Sequence, residues 1–479
     1  MQQAVTFRTR VRLPHPHPLS KPNSRRAMSC LGCATVEHAS APSAMYKYIV
    51  LGGGNAAGYC AREFVSNGLA AGELCIVGSE SVVSYERPAL SKAFLALQGG
   101  ARLPGFHTCV GAGGERQLPE WYAEKGITFK TGATVTAANL AAKSLTLQDG
   151  SSLGYEHLII ATGSEVVRLG DFKTPGAELS GVMYLRNEAD GQQLLSAMQG
   201  VKDKSGKVVI VGGGYIGMEV AAGVVSNRLD TTLVYPEPHL MARLFTPQLA
   251  AFYEGVYASK GVTLCRKGKV TALEGDAQGK VTAVVVAAED GSVSKLPADL
   301  VVVGVGARPC VSLFKGQLDM GPPPMGGILV DGSLRTSRPG VWAVGDVAAY
   351  PTDSGQARQE HISHARLSAA HAVRSILGLA SGPYTYLPYF YSREFNLSWQ
   401  FWGSQGGGKA EVVHFGDFAA AKFGAYWVAD GKVVGVFLEG ATPEEAAAAK
   451  KLAQDAPPVP QAPAPGLAEQ GISFAMSRM

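Results

Sequence analysis

Apolar residues fall in short runs that end in glycine, and the same plan occurs twice. Residues 46–51 (YKYIVL) run into three glycines, residues 55–67 carry helical spacing, and residues 74–77 form another short apolar run. About 160 residues later, residues 207–211 (KVVIV), a second glycine cluster, a helix from Tyr215 to about Ser226 and a strand at 232–235 repeat it. Each copy reads as a βαβ unit, so the pattern predicts an α/β fold. Between the copies lies 158–163 (LIIATG), and after them come 300–309 (LVVVGVGARP) and 341–347 (VWAVGDV). Residues 384–402 are unusually aromatic, and 423–438 read as two strands joined at Asp430–Gly431. The Pro-rich stretch 456–466 (APPVPQAPAPG) reads as a linker or tail without fixed structure.

A length of 479 residues exceeds one ordinary core and predicts two or three domains. No run of about 18 apolar residues appears, so no transmembrane helix and no membrane insertion is expected. The formal charge of +4 is concentrated at the N-terminus, where residues 1–44 hold six basic residues and one acid. Without that segment the chain has a net charge of −1, and no nucleic-acid partner is expected. The segment is rich in Arg, Ser and Pro and lacks the apolar core of a secretory signal, as in an organelle transit peptide. The expected location is the chloroplast, with the mitochondrion second; an ordinary unstructured N-terminus is the alternative. A form started at Met45 would be cytosolic or peroxisomal, since Ser477-Arg478-Met479 is similar to peroxisomal signals.

The glycine clusters carry the chemistry. Gly52-Gly53-Gly54-Asn55-Ala56-Ala57 is a G-x-G-x-x-A between strand and helix, with Glu80 at the end of the next strand. The first glycine permits the turn, the second admits a pyrophosphate, and the carboxylate accepts from a ribose hydroxyl. Gly212-Gly213-Gly214-Tyr215-Ile216-Gly217 is a full G-x-G-x-x-G, with Glu237 closing the following strand. A carboxylate there repels a 2′-phosphate, so NADH is expected over NADPH, although Arg243 lies close in sequence. With Ala161-Thr162-Gly163 between the fingerprints and Gly345-Asp346 after them, the order resembles the glutathione-reductase-like two-dinucleotide flavoproteins. That resemblance implies FAD and NADH as cofactors and Asp346 on the flavin ribityl chain. It implies two Rossmann-like domains, an FAD domain at 45–164 and 297–372 and an NADH domain at 165–296. An α+β C-terminal domain at 373–454 and a tail at 455–479 would follow.

Many such proteins carry a redox cysteine pair after the first βαβ unit, but residues 84–92 read SYERPALSK. Disulfide reduction is therefore not expected, and electrons must pass from flavin to an acceptor directly. Arg87 and Lys92 are candidate flavin and phosphate contacts. The seven scattered cysteines suit a reducing compartment, and neither Cys30/Cys33 nor His361/His364 has the further ligands of a metal site.

SYERPALSKAFL, GGGYIGMEV, VWAVGDVA, HISHAR and YLPYFYSREFNLSWQFWG together resemble the plant-type monodehydroascorbate reductase family, from about residue 46 to 474. The resemblance implies reduction of the monodehydroascorbate radical to ascorbate by NADH through FAD, hydride in and single electrons out. It makes Arg366 the substrate-binding cation, whose planar fork suits an enediolate-type oxygen pair. It puts Tyr391 between flavin and substrate, Gly111 and Cys109 on a long active-site loop, and Glu360 and His361 beside the isoalloxazine. Two rivals remain: a ferredoxin- or rubredoxin-type reductase with a protein acceptor, and a flavoprotein like apoptosis-inducing factor. The aromatic segment and HISHAR favour the small-radical reductase.

Overall fold

The computed structural model describes residues 42–109, 113–202, 205–353, 355–459 and 465–479. Apart from residues 42–44, the expected leader lies outside the described residues, and so does Gly111.

The first unit forms as its apolar runs require. Strand Ala44–Leu51 pairs in parallel with Leu74–Val77 on one side and Ser152–Ile160 on the other. Ile49, Val50, Ile76 and Ile159 are fully buried, as expected of central strands covered on both faces. Helix Asn55–Ser66 presents Ala57, Cys60, Ala61 and Phe64 to that core and packs against helix Ile362–Ile376. Strand Val341–Ala343 returns to this sheet beside Ser152–Ile160, after 180 intervening residues.

The second unit repeats the plan. Lys207–Val211 pairs in parallel with Asp230–Val234, and helix Tyr215–Ser226 follows its glycine turn. Its other neighbour is Leu300–Val303, which also pairs with Val182–Tyr184. This corrects the sequence boundary at 297, which placed the 300–303 run with the first domain. The physical reason is that Lys207–Val211, buried on both faces, needs a strand on each edge. Leu300–Val303 fills that place as Ser152–Ile160 does in the first unit. Each unit also has a three-stranded antiparallel meander, ending in Ser152–Ile160 in one and in Val293–Pro297 in the other.

A five-stranded antiparallel sheet follows, ordered Tyr389–Glu394, Leu397–Gly403, Lys432–Glu439, Lys422–Ala429 and Glu411–Asp417. One face presents Trp399, Phe401 and Phe437 to Phe245, Tyr253 and Tyr257 of the second unit. The other is covered by helix Pro443–Asp455 and by two short helices, Pro465–Gln470 and Ile472–Met476. These short helices begin where the Pro-rich stretch 456–466, expected to lack fixed structure, ends. Leu467 and Phe474 are buried beside Tyr426, whose hydroxyl donates to the Gly471 carbonyl at 2.7 Å. That apolar burial outweighs the Pro-rich composition preceding it.

Candidate active site

A cleft of about 2390 Å³ runs between the two glycine turns and reaches the C-terminal sheet at Phe390, Tyr391 and Phe401. At its first end the backbone comes closest to itself. Gly52 has φ of 121°, and a Cβ there would stand 2.2 Å from the Ala161 carbonyl oxygen. Gly212 has φ of 116°, and its Cβ would stand 2.3 Å from the Gly304 oxygen. Only glycine fits either turn. Gly54 and Gly214 then cap helices whose first N–H groups line the cleft with Asn55, Ala56, Tyr215 and Ile216, an arrangement suited to pyrophosphate. Ala57 and Gly217 lie behind the turns: Ala57 is fully buried, and a Cβ at Gly217 would collide with the Gly212 oxygen.

The polar residues around the first turn are cross-tied. Glu80 accepts from the Tyr85 hydroxyl at 2.6 Å and pairs with Arg87, which also donates to the Arg186 carbonyl at 2.8 Å. Asp346 accepts from Ser164 Oγ at 2.8 Å and from Arg186 at 3.1 Å. Burial opposes its ionisation, yet Arg186 and Ser164 hold its carboxyl below the usual range. Thr162 Oγ1 donates to the Cys310 carbonyl at 2.8 Å, leaving its backbone and that of Ala161 along the cleft wall. Lys92 lies on the same wall, 2.7 Å from Glu219. At the second turn, Tyr215 packs against Trp399 and Phe390, while Glu237 and Arg243 line the cleft rim.

At the far end, Glu360 pairs with Arg358 at 2.6 Å, and His361 caps helix Ile362–Ile376 by accepting from the Ser363 N–H. The His361 ring meets Tyr389, Phe390 and Tyr391 edge-on. Burial, more than any charge, lowers its pKa to about 4, so the imidazole is neutral at pH 7. His364, one turn on, is likewise neutral, held between the Tyr384 hydroxyl at 2.8 Å and the Gly345 carbonyl at 3.2 Å.

Arg366 does not line the large cleft. It donates to Glu86 at 2.9 Å, lies over the Tyr59 ring, and opens on a separate recess of about 560 Å³ beside Arg62 and Arg374. Its Nε is buried with no partner. Glu86 is buried and also accepts from Asn55 Nδ2 and Tyr59 Oη, each at 2.9 Å. Asn55 lines the large cleft, so the Asn55–Glu86–Arg366 chain connects the two spaces. Sequence reasoning missed Glu86, Tyr59, Ser164, Arg186 and Glu219. Glu86 and Glu219 left a trace, inside SYERPALSKAFL and GGGYIGMEV. Cys109 is buried with φ of 97° and donates its thiol to Gln117 at 3.5 Å. Cys310 is the only cysteine on the cleft wall among the described residues, and burial raises its pKa. The described residues contain no group of three or more His, Cys, Asp or Glu side chains placed to hold a metal, and no helix long and apolar enough to cross a membrane.

Residues 46–372 match the family model for pyridine nucleotide-disulphide oxidoreductases, and 387–475 match the monodehydroascorbate reductase 3-like C-terminal domain. The chain is 50% identical over 440 residues to a monodehydroascorbate reductase of Pisum sativum, covering 90% of this chain and 98% of that one. The chain belongs to the monodehydroascorbate reductase family. It is 51% identical, with the same coverage, to cytosolic monodehydroascorbate reductase 4 of Oryza sativa subsp. japonica. It is 47% identical to peroxisomal monodehydroascorbate reductase 4 of Arabidopsis thaliana, over 86% of this chain and 83% of that one. Among solved structures it is similar to a putidaredoxin reductase in covalent complex with putidaredoxin, with a TM-score of 0.78 and 27% identity. That match covers 91% of this chain and 99% of the other. Members of this family are FAD-dependent oxidoreductases that use a nicotinamide dinucleotide, and both glycine turns have the backbone geometry such ligands need.

Proposed function

We propose that this chain reduces the monodehydroascorbate radical to ascorbate with electrons from NADH. The observation that carries the reading is one continuous cleft with a dinucleotide turn on each side and His361 and Tyr391 at its far end. FAD supplies the coupling between a two-electron hydride donor and one-electron acceptors. The residues of the first half bind and orient it: Gly52, Gly54, Asn55, Ala56, Ala57 and Arg87 at the pyrophosphate, and Glu80 beside the adenosine ribose. Lys92, Ala161, Thr162, Asp346, Glu360 and His361 serve the flavin half. The FAD domain then combines residues 45–164 with the returning segment through 372, and the nicotinamide domain runs on through Val303. Gly212, Gly214, Tyr215, Ile216 and Gly217 receive the nicotinamide dinucleotide, and the Glu237 carboxylate favours NADH by repelling a 2′-phosphate.

Arg366 and Tyr391 serve the radical anion, together with Gly111. The Arg366 charge is already shared with Glu86, so an incoming anion competes with a buried carboxylate for it. That sharing favours quick release of product over tight binding. Purified protein should oxidise NADH rapidly when ascorbate oxidase and ascorbate generate the radical. NADH oxidation that is indifferent to ascorbate oxidase would refute the reading. For location, the basic leader supports a chloroplast destination, tested by fusing residues 1–44 to a fluorescent protein. A diffuse cytosolic signal would count against it.

A further inference from the structure

A buried file of polar side chains leads from the cleft wall toward the aromatic core of the C-terminal sheet. Lys92 pairs with Glu219 at 2.7 Å, and the Glu219 carboxylate also accepts from the hydroxyls of Ser91 and Ser392. Ser392 and Glu394 lie two positions apart on strand Tyr389–Glu394, so their side chains stand side by side on one face of the sheet. Glu394 is 3% exposed, and its Oε2 has no partner.

Charge balance decides the state of this file. Facing Glu394 are Glu219 and Tyr215 from helix Tyr215–Ser226, and Tyr253 and Tyr257 from helix Pro247–Ser259. Glu439 faces it across the sheet, and Lys92 from the cleft wall. Glu439 is satisfied by the Tyr253 hydroxyl at 2.7 Å and the Ser398 N–H at 2.8 Å. Three carboxyl groups thus share one ammonium, and only Glu394 keeps an orphaned oxygen. A buried carboxylate with an empty lone-pair site is far costlier than a neutral carboxyl. Burial, then the Glu219 carboxylate, raise the Glu394 pKa to about 8.

We propose that Glu394 is a proton store that feeds the cleft through Ser392, Glu219 and Lys92. The inference rests on the reductase reading. Converting two radical anions to two ascorbate monoanions takes two electrons and two protons, and a hydride carries both electrons but one proton. The missing proton leaves Lys92 for an oxygen of the reduced acceptor as an N–H bond breaks. The Glu219 carboxylate takes the Ser392 hydroxyl proton as Ser392 takes one from the Glu394 carboxyl, and Glu219 then passes the proton it received to Lys92. No electrons move along the file, Glu394 ends as a carboxylate, and the reverse shift from cleft water reloads it. Glu394 acts through its neighbours and touches neither substrate nor cofactor.

The test uses the full FAD-loaded protein. Infrared titration should show a protonated-carboxyl band in the wild type that disappears around pH 8, retained in Ser392→Ala and missing from Glu394→Gln. Radical turnover in the wild type should fall on the same alkaline limb. In both variants the ratio of radical to ferricyanide reduction at pH 7 should drop about tenfold, and the limb should vanish. If Glu394→Gln does not fold, Ser392→Ala carries the test alone. Absence of the band from the wild type, or a wild-type pH profile in the variants that fold, overturns the proton store. A wild type that ignores the radical removes the reductase reading instead, a separate outcome.

Discussion

The two βαβ units share one backbone design and differ in what closes over it. In both, the first glycine presses against a carbonyl of the neighbouring strand end, Ala161 in one and Gly304 in the other. At the second glycine they part. A Cβ on Gly54 would meet Arg87 at 3.5 Å, whereas one on Gly214 would meet nothing within 4 Å. The first turn is roofed by Arg87, Glu80 and Tyr85, which tie one another down. The second stands open, with Glu237 exposed at its rim. Such a pair suits a resident group on one side and an exchanging one on the other, because release from the first turn requires breaking a partly buried ion pair and its hydrogen bonds.

Substitutions at the two turns and around them would break or sharpen that contrast. Gly52→Val should have the largest effect. It puts a side chain on the Ala161 carbonyl at a left-handed φ, so the protein should lose its flavin and unfold, lowered by about 4 kcal/mol or more in denaturant titration. Gly212→Val should retain a bound flavin spectrum while the KM for NADH rises steeply; loss of flavin from both would erase the distinction. Arg366→Ala strands the buried Glu86 carboxylate and should cut kcat/KM for the radical about 100-fold, or about 3 kcal/mol. Ferricyanide reduction should fall far less, and equal losses would remove the substrate role.

The histidines of the roofed half report on pH. His364 is neutral when folded, with a pKa near 4 against an ordinary 6.5. Its contribution is present above pH 6.5 and is lost as pH falls toward 4, because the unfolded chain takes up the proton first. Melting temperature should drop across that window, and His364→Gln should flatten the drop. Glu237→Ala should narrow the preference for NADH over NADPH about tenfold, or about 1.4 kcal/mol, in paired KM measurements. Gly214→Ala should leave folding stability within about 0.5 kcal/mol in denaturant titration, since no protein atom opposes the new methyl group.

What the sequence showed depended on distance along the chain. The glycine turns, helix Asn55–Ser66 and the Asp430–Gly431 hairpin were legible because strand, turn and helix are local consequences of adjacent residues. The run Leu300–Val303 was visible as a strand but not as a member of the second sheet, since apolarity does not name a neighbour. Glu86 and Arg366 are separated by 280 positions, and nothing at either end announces their pairing. Nothing in the aromatic stretch 384–402 sets Glu394 apart. Its meaning comes from Glu219, which a different domain places against it.

The return of Val341–Ala343 to the first sheet bears on the order in which the protein is made. Until residue 343 has left the ribosome, the backbone edge at Leu158–Ile160 has no strand beside it, although it is completely buried in the finished fold. The nascent chain therefore carries a sticky, unpaired edge throughout synthesis of the entire second unit, and such edges recruit other chains. Growing polypeptides halted before residue 340 should therefore bind chaperone more strongly than those halted after 372.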